Sequence, residues 1–322
     1  MKRNRSKVLP VFLLFMFLWI APGIARAATV KVNCSPSKGQ PQTITAALAA
    51  LPSKEPNTLL VLGVCNENVN ITTFDHLTIS GNPTATLNAL DPNSATISIM
   101  DSQDITLNNL LINGATNFDG VDCGTTSLCR LNNVTIQNAG VDGLSAGRGS
   151  TLWVTDCYIQ NNGGEGIWIG VGSQLIVTGS TMQGNALDGI SVFVGGVVTL
   201  DSDATSVGNT IQNNSVNGIS SFRGSVNIVG TANSTISGNG ADGVALEGAS
   251  AALIAGVTIT NNLGHGVRIG DLSFGQFKHG GSKVISNNTS PNILCDSAYS
   301  AERGVNPAAT DTNCPAEIQP LP

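Results

Sequence analysis

The sequence predicts an all-β solenoid wound from short parallel strands. Three observations predict it. The pattern Ile159-x-x-Asn162-x-x-Glu165-Gly166-Ile167 returns one repeat later as Met182-x-x-Asn185-x-x-Asp188-Gly189-Ile190. An apolar anchor recurs at Ile112, Ile136, Ile159, Met182, Ile211, Ile236, Ile259 and Ile285, at intervals of 24, 23, 23, 29, 25, 23 and 26. The apolar runs between turns are three to five residues long and alternate with polar residues, as strands do and helices do not. A repeat of that length cannot bury its apolar face alone, so successive copies must stack.

The first residues carry Lys2, Arg3, Arg5 and Lys7, then an apolar run from Val8 to Ile20, then Ala25-Arg26-Ala27. This is the pattern of a secretory signal peptide, and we expect cleavage after Ala27. The run is short for a bilayer span of about 20 residues, and no later run is long enough to cross one. Residues 28–58 follow as an alternating strand (28–34) and an amphipathic helix over residues 43–51. Ile44, Ala47, Leu48 and Leu51 fall on one face of that helix, and Pro52 ends it. It is expected to cover the open apolar end of the solenoid. Residues 59–294 form the solenoid itself. Its early strands lie at 58–64, 68–71, 77–80, 95–99 and 105–112, with Gly81-Asn82-Pro83 and Asp91-Pro92-Asn93 read as turns.

From Ile112 each repeat carries three strands: one ending on the anchor, one after the glycine, one mid-repeat. Three short parallel strands per coil, over about ten coils, describe a right-handed parallel β-helix. The longest interval, from Met182 to Ile211, fits a loop inserted around residues 201–207. Three residues after the anchor stand Asn162, Asn185, Asn214, Asn239, Asn262 and Asn288, with Ala139 the exception. Asparagines in register are expected to form a hydrogen-bonded ladder in a left-handed turn.

These I-x-x-N-x-x-(D/E)-G-(I/V) units, with Ile44-Thr45-Ala46-Ala47-Leu48 and Glu67-Asn68-Val69-Asn70-Ile71 before them, resemble the parallel β-helix repeat proteins of the pectin-lyase-like superfamily. The resemblance covers roughly residues 40–295. It implies the fold. It leaves function open among polysaccharide lyases, hydrolases, esterases, epimerases, adhesins and phage fibres.

Seven cysteines in an exported chain point to disulfides. Proximity pairs Cys34 with Cys65, Cys123 with Cys129, and Cys295 with Cys314, the last closing an irregular tail over residues 295–322. Cys157 is left as a small buried apolar residue. Loss of the segment 1–27 removes five basic side chains and no acidic ones, and moves the net charge from −6 to −11. No basic cluster remains, which excludes nucleic acid as a partner. A polyanionic sugar would need a bridging divalent cation.

Residues at equal register form columns. The column before the glycine reads Asp119, Asp142, Glu165, Asp188, Asn217, Asp242, His265. Carboxylates one rung apart repel by ~1 kcal/mol even in water. The side chains splay, one pKa rises, or a cation such as Ca²⁺ sits between them. Asp142, Glu165 and Asp188 are therefore the candidate catalytic carboxylates, with spacings that bracket those of retaining and inverting glycosidases. The competing reading is turn chemistry repeated once per coil, which Asn217 and His265 in the same column favour.

Gly264-His265-Gly266 and Arg268-Ile269 resemble parts of the polygalacturonase motifs, and Asn117-Phe118-Asp119 loosely a third. No adjacent Asp pair accompanies them. Asp119 and His265 stand six coils apart, about 29 Å at strand spacing, so that site is rejected. Lyases of the superfamily pair Ca²⁺-binding carboxylates with an Arg or Lys base. Arg148, Arg223 and Arg268 are read as surface residues, with Arg268 the one kept as a carbohydrate contact.

The outward column after the glycine holds Trp168. With Trp153 and Tyr158 nearby in sequence, it is a candidate platform for sugar rings; ordinary strand propensity is the alternative. A further outward column holds Thr135, Tyr158, Thr181, Thr210, Thr235 and Thr258, with Gln137, Gln160, Gln183 and Gln212 beside it. Such rows occur on ice-binding solenoids, but a β-branched ladder that suits strands explains them. Two functions are expected to compete: an exported protein that binds or acts on polysaccharide, and a non-catalytic surface or structural protein.

Overall fold

The computed structural model describes residues 27–34, 42–201, 207–229, 234–277, 284–296, 301–303 and 311–315. The expected signal peptide and most of the 201–207 insertion lie outside them. Among the described residues every strand pairing is parallel, and the strands form three stacks along the axis. Sheet I has ten strands, from Val69–Thr72 to Ile293–Cys295. Sheet II starts at Ala28–Asn33, which pairs with Asn57–Leu62, and runs to Ala301–Arg303. Sheet III runs from Val64–Asn66 to Val284–Ser286.

Alternation within each strand fixes what faces inward. In Thr151–Thr155, Leu152 and Val154 are buried while Trp153 is exposed. The anchors from Ile112 to Ile259 are completely buried and lie in direct register from coil to coil. The longest interval leaves this register intact, since Met182 still pairs with Ile211.

The predicted turn at Gly81-Asn82-Pro83 is a bulge instead. Asp75–Asn88 continues through it from sheet II into sheet III, with the register shifting between Ser80 and Ala85. Gln103–Asn113 rounds the same corner as one strand. A left-handed residue makes that corner in most coils, such as Asn109, Asn133 or Asp156. Cys157 sits just inside it, and the hydroxyl of the equivalent Ser180 in the next coil accepts the Cys157 N–H at 3.0 Å. Burial pushes the Cys157 thiol up to about 12, so it is an inert filler.

The asparagine ladder forms as expected. Each Nδ2 donates to the Oδ1 one coil later, from Asn162 through Asn185, Asn214, Asn239 and Asn262 to Asn288, at 2.8–3.0 Å. The left-handed residue is not the ladder asparagine, however. It is the residue before it: Asn161, Gly184, Asn213, Gly238, Asn261 or Asn287. The ladder residue is chosen for its amide alone.

The glycine of the Asp-Gly pair also has a reason other than turn chemistry. A Cβ on Gly189 would lie 2.7 Å from the Gly218 carbonyl oxygen and 2.8 Å from Asn214 Nδ2. Its φ is not positive; the adjacent coil simply comes too close.

The helix spans Ile44–Ala49, with Thr43 as its N-cap and Ile44 and Leu48 buried. Glu67 holds its start: Oε1 accepts Ile44 N–H at 2.8 Å, and Oε2 accepts Thr45 N–H at 3.0 Å and Thr45 Oγ1–H at 2.7 Å. The three disulfides are Cys34–Cys65, Cys123–Cys129 and Cys295–Cys314, as proximity proposed, and Cys157 is free. Among the described residues no helix is long and apolar enough to cross a membrane.

Candidate functional site on the outer face of sheet I

The outward residues of sheet I form a strip: Asp122, Ser145, Trp168, Ser191, Ser220, Ala245 and Arg268. The carboxylate column borders the strip at the start of each strand. Asp142, Asp188 and Asp242 in it are nearly buried.

Each of these acids first serves the backbone. Asp119 Oδ1 accepts the Asp142 N–H at 3.1 Å, and Asp142 Oδ1 accepts the Glu165 N–H at 2.9 Å. Asp188 Oδ1 accepts both the N–H and the Nδ2 of Asn217, at 2.8 and 3.0 Å. Asn217 and Asp242 do the same for the amides of Asp242 and His265. A short side chain in this position reaches the next coil's amide, which explains why Asp and Asn alternate freely there. Glu165 is one methylene longer and turns toward Asp142 instead.

That contact dominates the electrostatics. Burial pushes Asp142 up to about 8, and the adjoining Glu165 carboxyl adds to it through hydrogen bonding and charge. Asp142 therefore keeps its proton near neutral pH. Asp119, Asp122 and Asp188 are also raised, each chiefly by burial. Ser145 Oγ lies 2.8 Å from Asp119 Oδ2 and 3.2 Å from Asp122 Oδ1, tying these two acids into the same cluster. Asp122, which the sequence reading left aside, thus belongs with the column. Its outward position one coil before Ser145 was the available signal.

The other sequence-predicted residues are not brought together. Trp168 shares its strand with the Glu165 turn, but its indole leans the other way, over Gly170. Trp153 is on sheet II, with the Arg130 guanidinium 4.3 Å over its ring and Arg130 bound to Asp104 at 2.7 Å. Tyr158 is on sheet III, between Thr135 and Thr181. The three aromatics therefore occupy three separate stacks, and the single platform expected from their closeness in sequence does not form. A coil passes through all three sheets within a single repeat, so closeness in sequence here means different faces.

Arg268 is not a solvated surface residue. Its Nε lies 2.7 Å from Asp242 Oδ2, Nη2 2.5 Å from Glu247 Oε1, and Nη1 3.2 Å from Asp296 Oδ2. Burial opposes its charge, but the hydrogen bonds to Asp242 and Glu247 hold its pKa above the ordinary value. It is three coils beyond Asp188 and firmly protonated, unsuited to act as a base. His265 is likewise engaged in structure: Nδ1 lies 2.7 Å from the Pro291 carbonyl oxygen. Arg223 stacks on Phe222, 5.1 Å from the ring centroid.

Sheet I has a second border that the sequence reading missed. Two residues past Ser191 and Ser220 stand Phe193 and Phe222, whose rings stack at 5.7 Å. Gly170 precedes them in that column, and the Trp168 indole lies over it. The strip of small residues thus runs between acids on one side and aromatic rings on the other. Extending the outward column by two residues would have found it.

The family described as right handed beta helix region matches residues 62–231 and 175–304, and the chain belongs to it. Comparison with curated proteins finds no match. Among solved structures, the chain is similar to the A-module of mannuronan C-5 epimerase AlgE4 from Azotobacter vinelandii, at 12% identity and TM-score 0.52, covering 80% of this chain and 87% of that one. The AlgE6 A-module of the same organism aligns at 12% identity and TM-score 0.51, covering 77% and 83%. At that identity the likeness is one of fold.

Proposed function

We propose that this protein is exported and binds or acts on a polysaccharide laid along the solenoid axis across sheet I. The observation that carries this reading is Asp142, which keeps its proton near neutral pH with the Glu165 carboxyl against it, set in a row with Asp119, Asp122 and Asp188. A carboxyl that keeps its proton near neutral pH is suited to donate it to a leaving oxygen, and a second carboxyl stands about 5 Å away on the next rung, within the separation that paired-carboxylate glycosidases use. Trp168, Phe193 and Phe222 offer apolar contacts to sugar on the opposite border. The epimerase modules of similar fold carry polysaccharide names, which supports the substrate class. A Ca²⁺ ion between the acids would suit an anionic polymer, and the excess of acids over bases there would require one. Export is supported by the basic and apolar start of the chain and by three disulfides.

A second reading rests on a specific observation. Because Asp119, Asp142, Asp188 and Asp242 each hold the amide of the next coil, the column also serves a purely structural protein. A panel of neutral and acidic polysaccharides, assayed with and without Ca²⁺ for binding, reducing ends and unsaturated products, separates the two. The catalytic reading expects turnover by the wild type that Asp142→Asn and Glu165→Gln abolish. Binding that is lost in those variants without turnover supports a lectin-like role. Neither binding nor turnover on any polymer leaves the structural reading.

A further inference from the structure

The outer face of sheet III lies apart from the acidic row, and its two central columns carry no charge. One column reads Leu111, Thr135, Tyr158, Thr181, Thr210, Thr235 and Thr258. The column beside it is a second amide ladder. Nδ2 or Nε2 donates to the amide oxygen one coil earlier, from Gln212 through Gln183, Gln160, Gln137, Asn113 and Asn88 to Asn66, at 2.7–3.1 Å. Ser237 and Thr260 continue it. All of these side chains are partly or fully exposed, with Tyr158 the most prominent at 52%.

We infer that this face is a second binding surface, independent of sheet I, for a flat, neutral glycan. Three features point to such a partner. First, an acidic chain has kept both columns free of charge over at least seven coils, so neither an anionic polymer nor a basic one finds complementarity there. Secondly, each ladder amide spends one N–H on its neighbour and keeps a second. With the threonine hydroxyls, this sets donors and acceptors in two straight rows at the rung spacing of about 4.8 Å. Sugar hydroxyls both donate and accept, and an extended glycan repeats them along one line. Thirdly, the threonine methyls and the Tyr158 ring supply apolar area between the polar rows, as the faces of a pyranose require.

The ladder also makes the surface ready to bind. Glutamine side chains are costly to immobilise at an interface, but here they are already held by one another. A second copy of this chain is a weaker match, since stable self-association favours more apolar faces than rows of Thr and Gln.

The test is adsorption of the full mature chain to insoluble cellulose and chitin, with alginate and pectate gels as acidic comparisons. Wild type is expected to adsorb to a neutral glycan. Thr181→Lys/Thr235→Lys, which forces ammonium groups against an uncharged partner, is expected to weaken adsorption at least about tenfold. Tyr158→Ala is expected to weaken it less, and Gln174→Lys, exposed on sheet II, to leave it unchanged. Thermal melts within a few degrees of wild type establish that the variants are folded. The inference is overturned if the wild type adsorbs to no neutral glycan, if the sheet III lysine variant adsorbs as well as wild type, or if Gln174→Lys weakens adsorption as much as that variant does. Shaping of ice crystals without glycan adsorption, or a dimer that the lysine variant dissociates, overturns it equally.

Discussion

Asn185 is completely buried, and its side chain is bonded on every side. Its Oδ1 accepts the Asn162 N–H at 3.2 Å and Nδ2 at 2.9 Å, while its own Nδ2 reaches Asn214 Oδ1 and the Ile159 carbonyl. Asn185→Ala leaves at least two buried donors without a partner, each costing about 1–3 kcal/mol. Urea denaturation should show a loss of about 2–4 kcal/mol by the same reasoning. Gln183→Ala, on the exposed ladder, should lose about 1 kcal/mol or less. Acidity gives a second prediction at this scale. Folded Asp142 keeps its proton up to about pH 8, whereas an unfolded aspartate releases it near ~3.9. Between these values the folded state binds the extra proton, so stability is greatest at the acid end and falls as pH rises. The melting temperature of wild type should drop from about pH 5 to about pH 8.5, and Asp142→Asn should flatten that drop. The sequence made the column visible but not its chemistry. Nothing in the spacing shows that Glu165 reaches back to Asp142 while Asp188 reaches forward to Asn217; that depends on one methylene and on burial.

Within a single coil, a strand is defined by which side of it meets the core. Ile159 is completely buried and Thr181 half exposed, so Ile159→Asp should prevent cooperative folding, at more than about 4 kcal/mol for an unpaired buried charge. Thr181→Asp should cost about 0.5 kcal/mol. Equal thermal melts for the two would refute the register. The short helix provides a further case. Glu67 satisfies two amides and a hydroxyl at its start, so Glu67→Ala should cost about 2–4 kcal/mol in a urea titration. Strand positions and inward anchors were legible in the sequence, because period-two alternation and a repeat of near-constant length leave few alternatives, whereas the disulfide partners rested on proximity alone. The bulge between Ser80 and Ala85 was not, since Gly-Asn-Pro signals a turn wherever it occurs. Nor was the separation of Trp153, Tyr158 and Trp168, because sequence distance runs around the coil while proximity runs along the axis.

For the whole molecule, stability is a sum over neighbouring coils, and the end coils have a neighbour on one side only. Cys34–Cys65 and Cys295–Cys314 fasten the two end regions. Closing loops of that size contributes roughly 3 kcal/mol each in the chain-entropy account. Under a reducing agent, hydrogen exchange should therefore accelerate first near residues 28–66 and 293–314. The coils around Met182 should change least. The class of fold followed from the sequence as a whole, whereas the direction of its polar ladders did not. The buried asparagines pass their N–H groups toward later coils, from Asn162 to Asn288 and on to Asn292. The exposed amides pass theirs toward earlier coils, from Gln212 to Asn66. Two rows of aligned amide dipoles thus lie side by side, two residues apart in each shared coil, pointing opposite ways. Each row strengthens itself by polarisation along its length. They overlap where Gln160, Gln183 and Gln212 stand beside Asn162, Asn185 and Asn214, so in those coils the opposed dipoles offset one another.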